Sequence, residues 1–195
     1  MKYPNGAKNQ IDNSVVNDTK ATVFANRGMD FEKSVSLSAS YYLEQDLAVI
    51  YKRSTPIHVV KVDYAHNFKI TDAYFEKQST TDYNGVYKGR YIDFECKETK
   101  STTSLSFHNI PSQQIKHLKS VIRHQGIAFF LIYFITLQEV YLIDASYIIE
   151  AYEKGDRKSI TLKQIKENGY LVEQGYRPRL DFLKIVEKVY FHGNI

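Results

Sequence analysis

At 195 residues, 43% of them hydrophobic and 25% charged, the chain has the size and make-up of one globular domain with a sizeable core. A lone cysteine excludes an internal disulfide framework and fits a reducing, cytoplasmic setting. The net charge of +4 points weakly to a polyanionic partner, while an opening MKYPNGAKNQ without an apolar core argues against a signal peptide, and a longest apolar run of GIAFFLIYFI falls short of the roughly 20 residues a membrane helix needs.

Residues 1 to about 25 are polar, rich in Asn and Lys, and read as a mobile basic arm ahead of a single domain at 26–195. A helix is expected from Gly28 or Met29, with Phe31, Val35, Ser38 and Tyr42 as its stripe. LAVIYKR (Leu47 to Arg53) and HVVKVDY (His58 to Tyr64) read as strands. AHNFKITDAYFEKQ (Ala65 to Gln78) alternates poorly and is basic and aromatic, which suggests an extension standing off the body. A later helix takes Ser112 as its N-cap, has Gly126 just past its end, and carries Ile115, Leu118 and Ile122 as its apolar stripe. Strands at Ile127–Ile135 and Val140–Ile143, short helices near Ala145–Lys154 and Thr161–Asn168, and a C-terminal helix at Leu180–Phe191 complete the order. That order predicts an α/β fold with a mixed sheet flanked by helices.

Charge is unevenly spread. No Asp or Glu lies between Glu98 and Glu139, where Lys100, Lys116, Lys119 and Arg123 fall; Tyr51 to Ile70 holds Lys52, Arg53, Lys61 and Lys69 against Asp63 alone. Lys61, Lys69, Lys100 and Lys116 are the candidate phosphate contacts, the plain alternative being solvated basic faces.

The stretch TTDYNGVYKGRYIDFECK (Thr80 to Lys97) carries the chemistry. In YIDFECK, Ile92, Phe94 and Cys96 fall on one strand face and Asp93, Glu95 and Lys97 on the other, which is expected to be wet. A turn at Lys88-Gly89 sets Asp82 opposite Glu95, with Cβ atoms about 5 Å apart. Carboxylates that close repel unless a proton or cation intervenes, and Mg²⁺ with oxygen ligands suits them. Lys97, two residues from Glu95, is placed to orient a water and to stabilise charge on phosphorus oxygens. Asn84-Gly85 is a competing turn that would break this register. E-x-K alone is weak, since Glu98-Thr99-Lys100 repeats it on the opposite parity, and an ordinary charged strand is the plain alternative. Cys96 reads as a small core residue. One cysteine and six histidines without paired spacing argue against zinc, and His117 and His124 read as surface or phosphate-facing.

NRGMDFE, STTDYNGVYKGRYIDFECKETK and QQIKH resemble the RecU family of Holliday junction resolvases, within the PD-(D/E)xK nuclease superfamily. The likeness runs from YPNG in the arm through GYRPRLDF to the C-terminal helix. It implies a restriction-endonuclease-like fold with a protruding stalk, at about 65–78, that enters the central opening of a four-way DNA junction. It also implies a homodimer that cuts two opposed strands with Mg²⁺ (Mn²⁺ as a substitute), working beside recombinase or branch-migration proteins. By position, Asp82 and Glu95 match metal-binding carboxylates, Lys97 the catalytic lysine, and Thr80 and Gln114 further metal positions. Glu32 matches a helix-one acid of the metal shell, and Arg27 a phosphate contact. Thr81 stands where the superfamily commonly has Pro, as it does throughout the family. Two other functions fit the same residues: a nuclease of this fold acting on duplex DNA, and a non-catalytic junction binder that modulates strand exchange.

Overall fold

The computed structural model describes residues 31–66, 68–76 and 80–191. The basic arm, Arg27 and the expected helix start at Gly28 or Met29 lie outside them. Five α-helices are described: α1 (Phe31–Glu44), α2 (Ser112–Arg123), α3 (Ala145–Lys154), α4 (Leu162–Asn168) and α5 (Phe182–Tyr190). The strands are β1 (Val49–Lys52), β2 (Ile57–Asp63), β3 (Lys69–Phe75), β4 (Tyr83–Tyr87), β5 (Arg90–Thr99), β6 (Ser104–Ser106), β7 (Ile127–Phe134), β8 (Glu139–Asp144), β9 (Ser159–Thr161) and β10 (Gly169–Leu171).

Six strands form the central sheet in the order β1-β4-β5-β7-β8-β10. Only β5 and β7 pair in parallel, because α2 crosses between them; the other neighbours are antiparallel, so the sheet is mixed as predicted. The strand β7 (IAFFLIYF) is central and almost wholly buried, which explains its unbroken apolar run. Its Ile127, Phe129 and Leu131 join Ile92, Phe94 and Cys96 of β5 beneath α1 and α5. Its Ala128, Phe130 and Ile132 face the opposite layer, with α2 and α3. In the first layer, rings stack across three strands: Tyr83 on Phe94 at 5.0 Å, and Phe94 on Phe129 at 4.6 Å. Helix α1 buries Phe31, Ser34, Val35, Ser38, Ala39 and Tyr42, one face at helical spacing. Its polar members are satisfied: Ser38 Oγ donates to Ser34 O and accepts from Leu180 N, and Tyr42 Oη donates to Leu180 O at 2.8 Å.

The hairpin turn falls at Lys88-Gly89, both in the left-handed region with φ 46° and 76°, as a two-residue turn requires. Asn84-Gly85 is not a turn; it lies inside β4. Gly85 is needed there for another reason: a Cβ would come within 2.0 Å of Val49 O on β1.

Three expectations are corrected. Ser112 is the first helical residue of α2, and Pro111 is its N-cap; the Pro111 carbonyl accepts from Gln114 N at 3.0 Å. At the other end Gln125, not Gly126, takes the left-handed conformation (φ 64°). The excursion also starts earlier than 65: β2 and β3 pair only with each other, so the two-stranded ribbon runs from Ile57 to Phe75. Exposure on both faces removed the alternation that marks a strand packed on a core, and left HVVKVDY looking like a sheet member.

Candidate active site

The β4–β5 register pairs Tyr83 with Phe94; carried one residue further it sets Asp82 beside Glu95, close enough for the Asp82 charge to raise the Glu95 pKa. Asp82 is held by the Cys96 backbone N–H, which donates to its Oδ2 at 3.0 Å. Glu95 Oε1 accepts from Lys97 Nζ at 2.7 Å and from Gln114 Nε2 at 2.8 Å. Asp82, Glu95, Lys97 and Gln114 therefore form one cluster, with Gln114 supplied by the first turn of α2.

This face is not wet. Helix α2 covers it, leaving Glu95 1% and Asp93 0% exposed. Burial, then the Asp82 charge, pushes the Glu95 carboxyl up to about 8 despite the opposing pull of Lys97. Asp93 goes the other way. Burial raises it too, but donors from His117, Thr81 and Tyr91 outweigh that and hold it below the ordinary aspartate value. Arg53 completes this second cluster, with Nη2 2.6 Å from Asp93 Oδ2 and 2.7 Å from Tyr91 Oη. His117 was expected at the surface or facing phosphate. It is partly exposed, and its Nε2 lies 2.9 Å from Asp93 Oδ2, because it stands one helical turn after Gln114 and so reaches the strand position two before Glu95.

Glu95 Oε2 and Gln114 Oε1 are buried without a hydrogen-bond partner among the described residues. Both are acceptor oxygens, and together with Asp82, which the register sets beside Glu95, such a set fits a hard divalent cation. No group of three His, Cys, Asp or Glu converges as a ligand set among the described residues, so the available donors are two carboxylates and the amide oxygen.

A family model described as "RecU: Recombination protein U" matches residues 26–188. The chain belongs to the RecU family. RecU relatives named Holliday junction resolvase RecU are 44% identical in Bacillus cereus (strain B4264) and 45% in Bacillus thuringiensis (strain Al Hakam), each over 98% of both chains. The structure is also similar to that of Hjc, a Holliday junction resolvase from Archaeoglobus fulgidus, with a TM-score of 0.40, 10% identity, and coverage of 72% of this chain and 93% of that one.

The remaining residues expected of a RecU chain are placed as follows. Thr80 is half-buried, and no hydrogen bond joins it to Asp82 or Glu95 among the described residues; its neighbour Thr81 is fully buried and donates to Asp93. Glu32, on α1, forms an ion pair with Lys52 of β1. Lys61 and Lys69 are exposed on the β2–β3 ribbon, Lys100 just after β5, and Lys116 on the outer side of α2. The sequence reasoning missed Arg53, Tyr91, Asp93 and His117 as a site. Two signals were available: Asp93 shares the parity of Glu95, and His117 follows Gln114 by three.

Proposed function

We propose that this RecU-family chain is a divalent-metal-dependent endonuclease that resolves four-way DNA junctions, acting as a homodimer that nicks two opposed strands. The observation that carries the reading is the placing of Asp82 beside Glu95 by the β4–β5 register, with Lys97 on Glu95 and two acceptor oxygens left without donors. The names of the curated relatives support the junction as substrate.

Asp82, Glu95 and Gln114 would hold Mg²⁺, or Mn²⁺ in its place, leaving positions for water and phosphate. When bound, the ion supplies charge neutralisation and Lewis-acid polarisation at the phosphate and lowers the pKa of a water. The protein's part is positioning. Gln114 and Lys97 fix Glu95 Oε1, leaving Oε2 without a donor. The Cys96 amide fixes Asp82. Lys97, 15% exposed, offers its ammonium to the attacking oxygen and to the phosphorus oxygens as charge builds there. The β2–β3 ribbon, with Phe68, Tyr74 and Phe75 exposed, is the stalk that stacks on bases at the junction's opening.

Cleavage of a labelled four-way junction with Mg²⁺ tests the reading. K97A should bind the junction with near wild-type affinity and cut it roughly 10²–10⁴-fold more slowly. Wild-type protein that binds but never nicks a junction would leave only the non-catalytic binder.

A further inference from the structure

Arg53 stands in the row of the carboxylates. It follows the last residue of β1, and its backbone N–H donates to the Asp82 carbonyl at 2.7 Å, extending the β1–β4 pairing by one position. The β4–β5 register then places Asp82 beside Glu95. Arg53, Asp82 and Glu95 thus share one face of three adjacent strands, each about 5 Å from the next. The Arg53 side chain turns along the strands to Tyr91 and Asp93, and its Nη2 spends both hydrogens there.

A guanidinium carries five N–H donors. The buried Nε–H of Arg53 has no partner among the described residues, and the only side-chain bonds Arg53 makes among them come from Nη2. The side chain remains 23% exposed, and Nη1, which makes no hydrogen bond among the described residues and is not one of the buried unpartnered atoms, is the part of the head open to a ligand. Three buried polar atoms lack partners here: Glu95 Oε2, Gln114 Oε1 and Arg53 Nε. The two oxygens call for a cation and the nitrogen for an acceptor. A phosphodiester lying against a divalent cation supplies both. The groove next to Tyr91 and His117 is also lined by Arg90 and His124, and no acidic residue among the described residues lines it.

Asp93 explains how the guanidinium is held. Arg53, Thr81, Tyr91 and His117 reach it from four segments of the chain, so the carboxylate is satisfied without the rest of the guanidinium. A cation fixed in advance loses little freedom when the strand arrives.

We propose that Arg53 is a substrate-binding residue, whose unspent guanidinium edge takes a phosphodiester oxygen of the strand being cut, and that Asp93 is the positioning residue that holds it. This rests on the nuclease reading above and adds a phosphate subsite to it. The competing account is a brace: a buried ion pair that ties β1 to β5 and α2 and never meets DNA.

The test uses full-length R53Q and R53K. Binding to a labelled four-way junction and to a linear duplex is followed by anisotropy in EDTA across about 50–200 mM salt. Single-turnover junction cleavage is measured with Mg²⁺, and thermal melts establish folding. R53Q should have a log K against log salt slope shallower by about one and cut about 10-fold or more slowly. R53K should keep the slope, because the charge stays, and still cut about 10-fold more slowly, because the planar fork is lost. A folded R53Q with the wild-type slope and a cleavage rate within twofold of wild type overturns the proposal in favour of the brace. If R53Q does not fold, R53K decides, and cleavage within twofold overturns it equally. A wild-type chain that cuts no junction refutes the resolvase reading instead; the duplex titration then still decides Arg53, because a phosphodiester is common to both DNAs.

Discussion

Asp93 and Glu95 lie two residues apart on the same face of β5, and both are out of solvent, yet their protons are held differently. Asp93 is surrounded by donors and stays ionised. Glu95 is desolvated by burial and lies beside the Asp82 charge, and without a metal it keeps its proton up to about pH 8. In the unfolded chain that proton leaves near 4.5. Between those values the unfolded state binds fewer protons than the native state. The stability Glu95 contributes is therefore fully present below about pH 4.5 and is lost as pH rises through about 8. E95Q removes this loss. In EDTA at pH 8 it should melt above wild type, by on the order of 1–2 kcal/mol or about 4 °C, as substitutions of functional groups held under electrostatic strain commonly do. Mg²⁺ should raise the wild-type melting temperature at that pH and leave E95Q nearly unmoved. An E95Q melt at or below wild type in EDTA would show that Glu95 is not under that strain.

The β4–β5 hairpin owes its register to two glycines with different duties. Gly89 supplies a left-handed turn residue and has open space around it, so G89A pays backbone strain of about 1 kcal/mol. Gly85 sits under the β1 backbone, where a Cβ has no room at 2.0 Å from Val49 O. G85A should cost clearly more, above about 2 kcal/mol by denaturant midpoint, because backbone cannot yield as a flexible side chain can. It should also slow cleavage, since β1 delivers Arg53 and pairs beside Asp82. Equal losses in the two variants would contradict this division. The β2–β3 ribbon presents the opposite case. Tyr74 and Phe75 are 57% and 78% exposed, so changing both to Ala should leave the melting temperature within about 1 °C. Junction affinity should fall by about 1–3 kcal/mol per lost stack while linear-duplex affinity holds.

Taken together, the described residues form a mixed sheet between two helical layers, and the proposed nuclease site lies on the α2 side. Among the described residues no helix is long and apolar enough to cross a membrane. The basic excess of +4 is small, so binding depends on where the cations lie. Lys61, Lys69, Lys100 and Lys116 are all exposed. Their phosphate contacts should make junction affinity drop steeply with salt, and K61A or K69A should each flatten the slope by about one. The proposed paired cutting by a homodimer predicts a further result. Wild type mixed with excess K97A should accumulate junctions nicked on one strand, measured on denaturing and native gels from the same reaction. Equal yields of doubly cut product from mixed and pure preparations would exclude two cooperating sites.

Local chemistry made much of this readable in the chain. Period-two alternation separated Ile92, Phe94 and Cys96 from Asp93, Glu95 and Lys97, and the unbroken run at Ile127 marked the central strand. Once the turn was set at Lys88-Gly89, Asp82 and Glu95 had to meet. Tertiary structure decided what no local pattern carries. The choice between the two turn signals depended on β1 passing over Gly85, a contact with Val49 some 36 positions away. The burial of the carboxylates depended on α2 lying across their face, with Gln114 on Glu95 and His117 on Asp93. Arg53 became a candidate only when β1 took its place at the sheet edge beside Asp82. Each of these is a long-range pairing, and spacing along a chain says which face a side chain takes but not what will cover it.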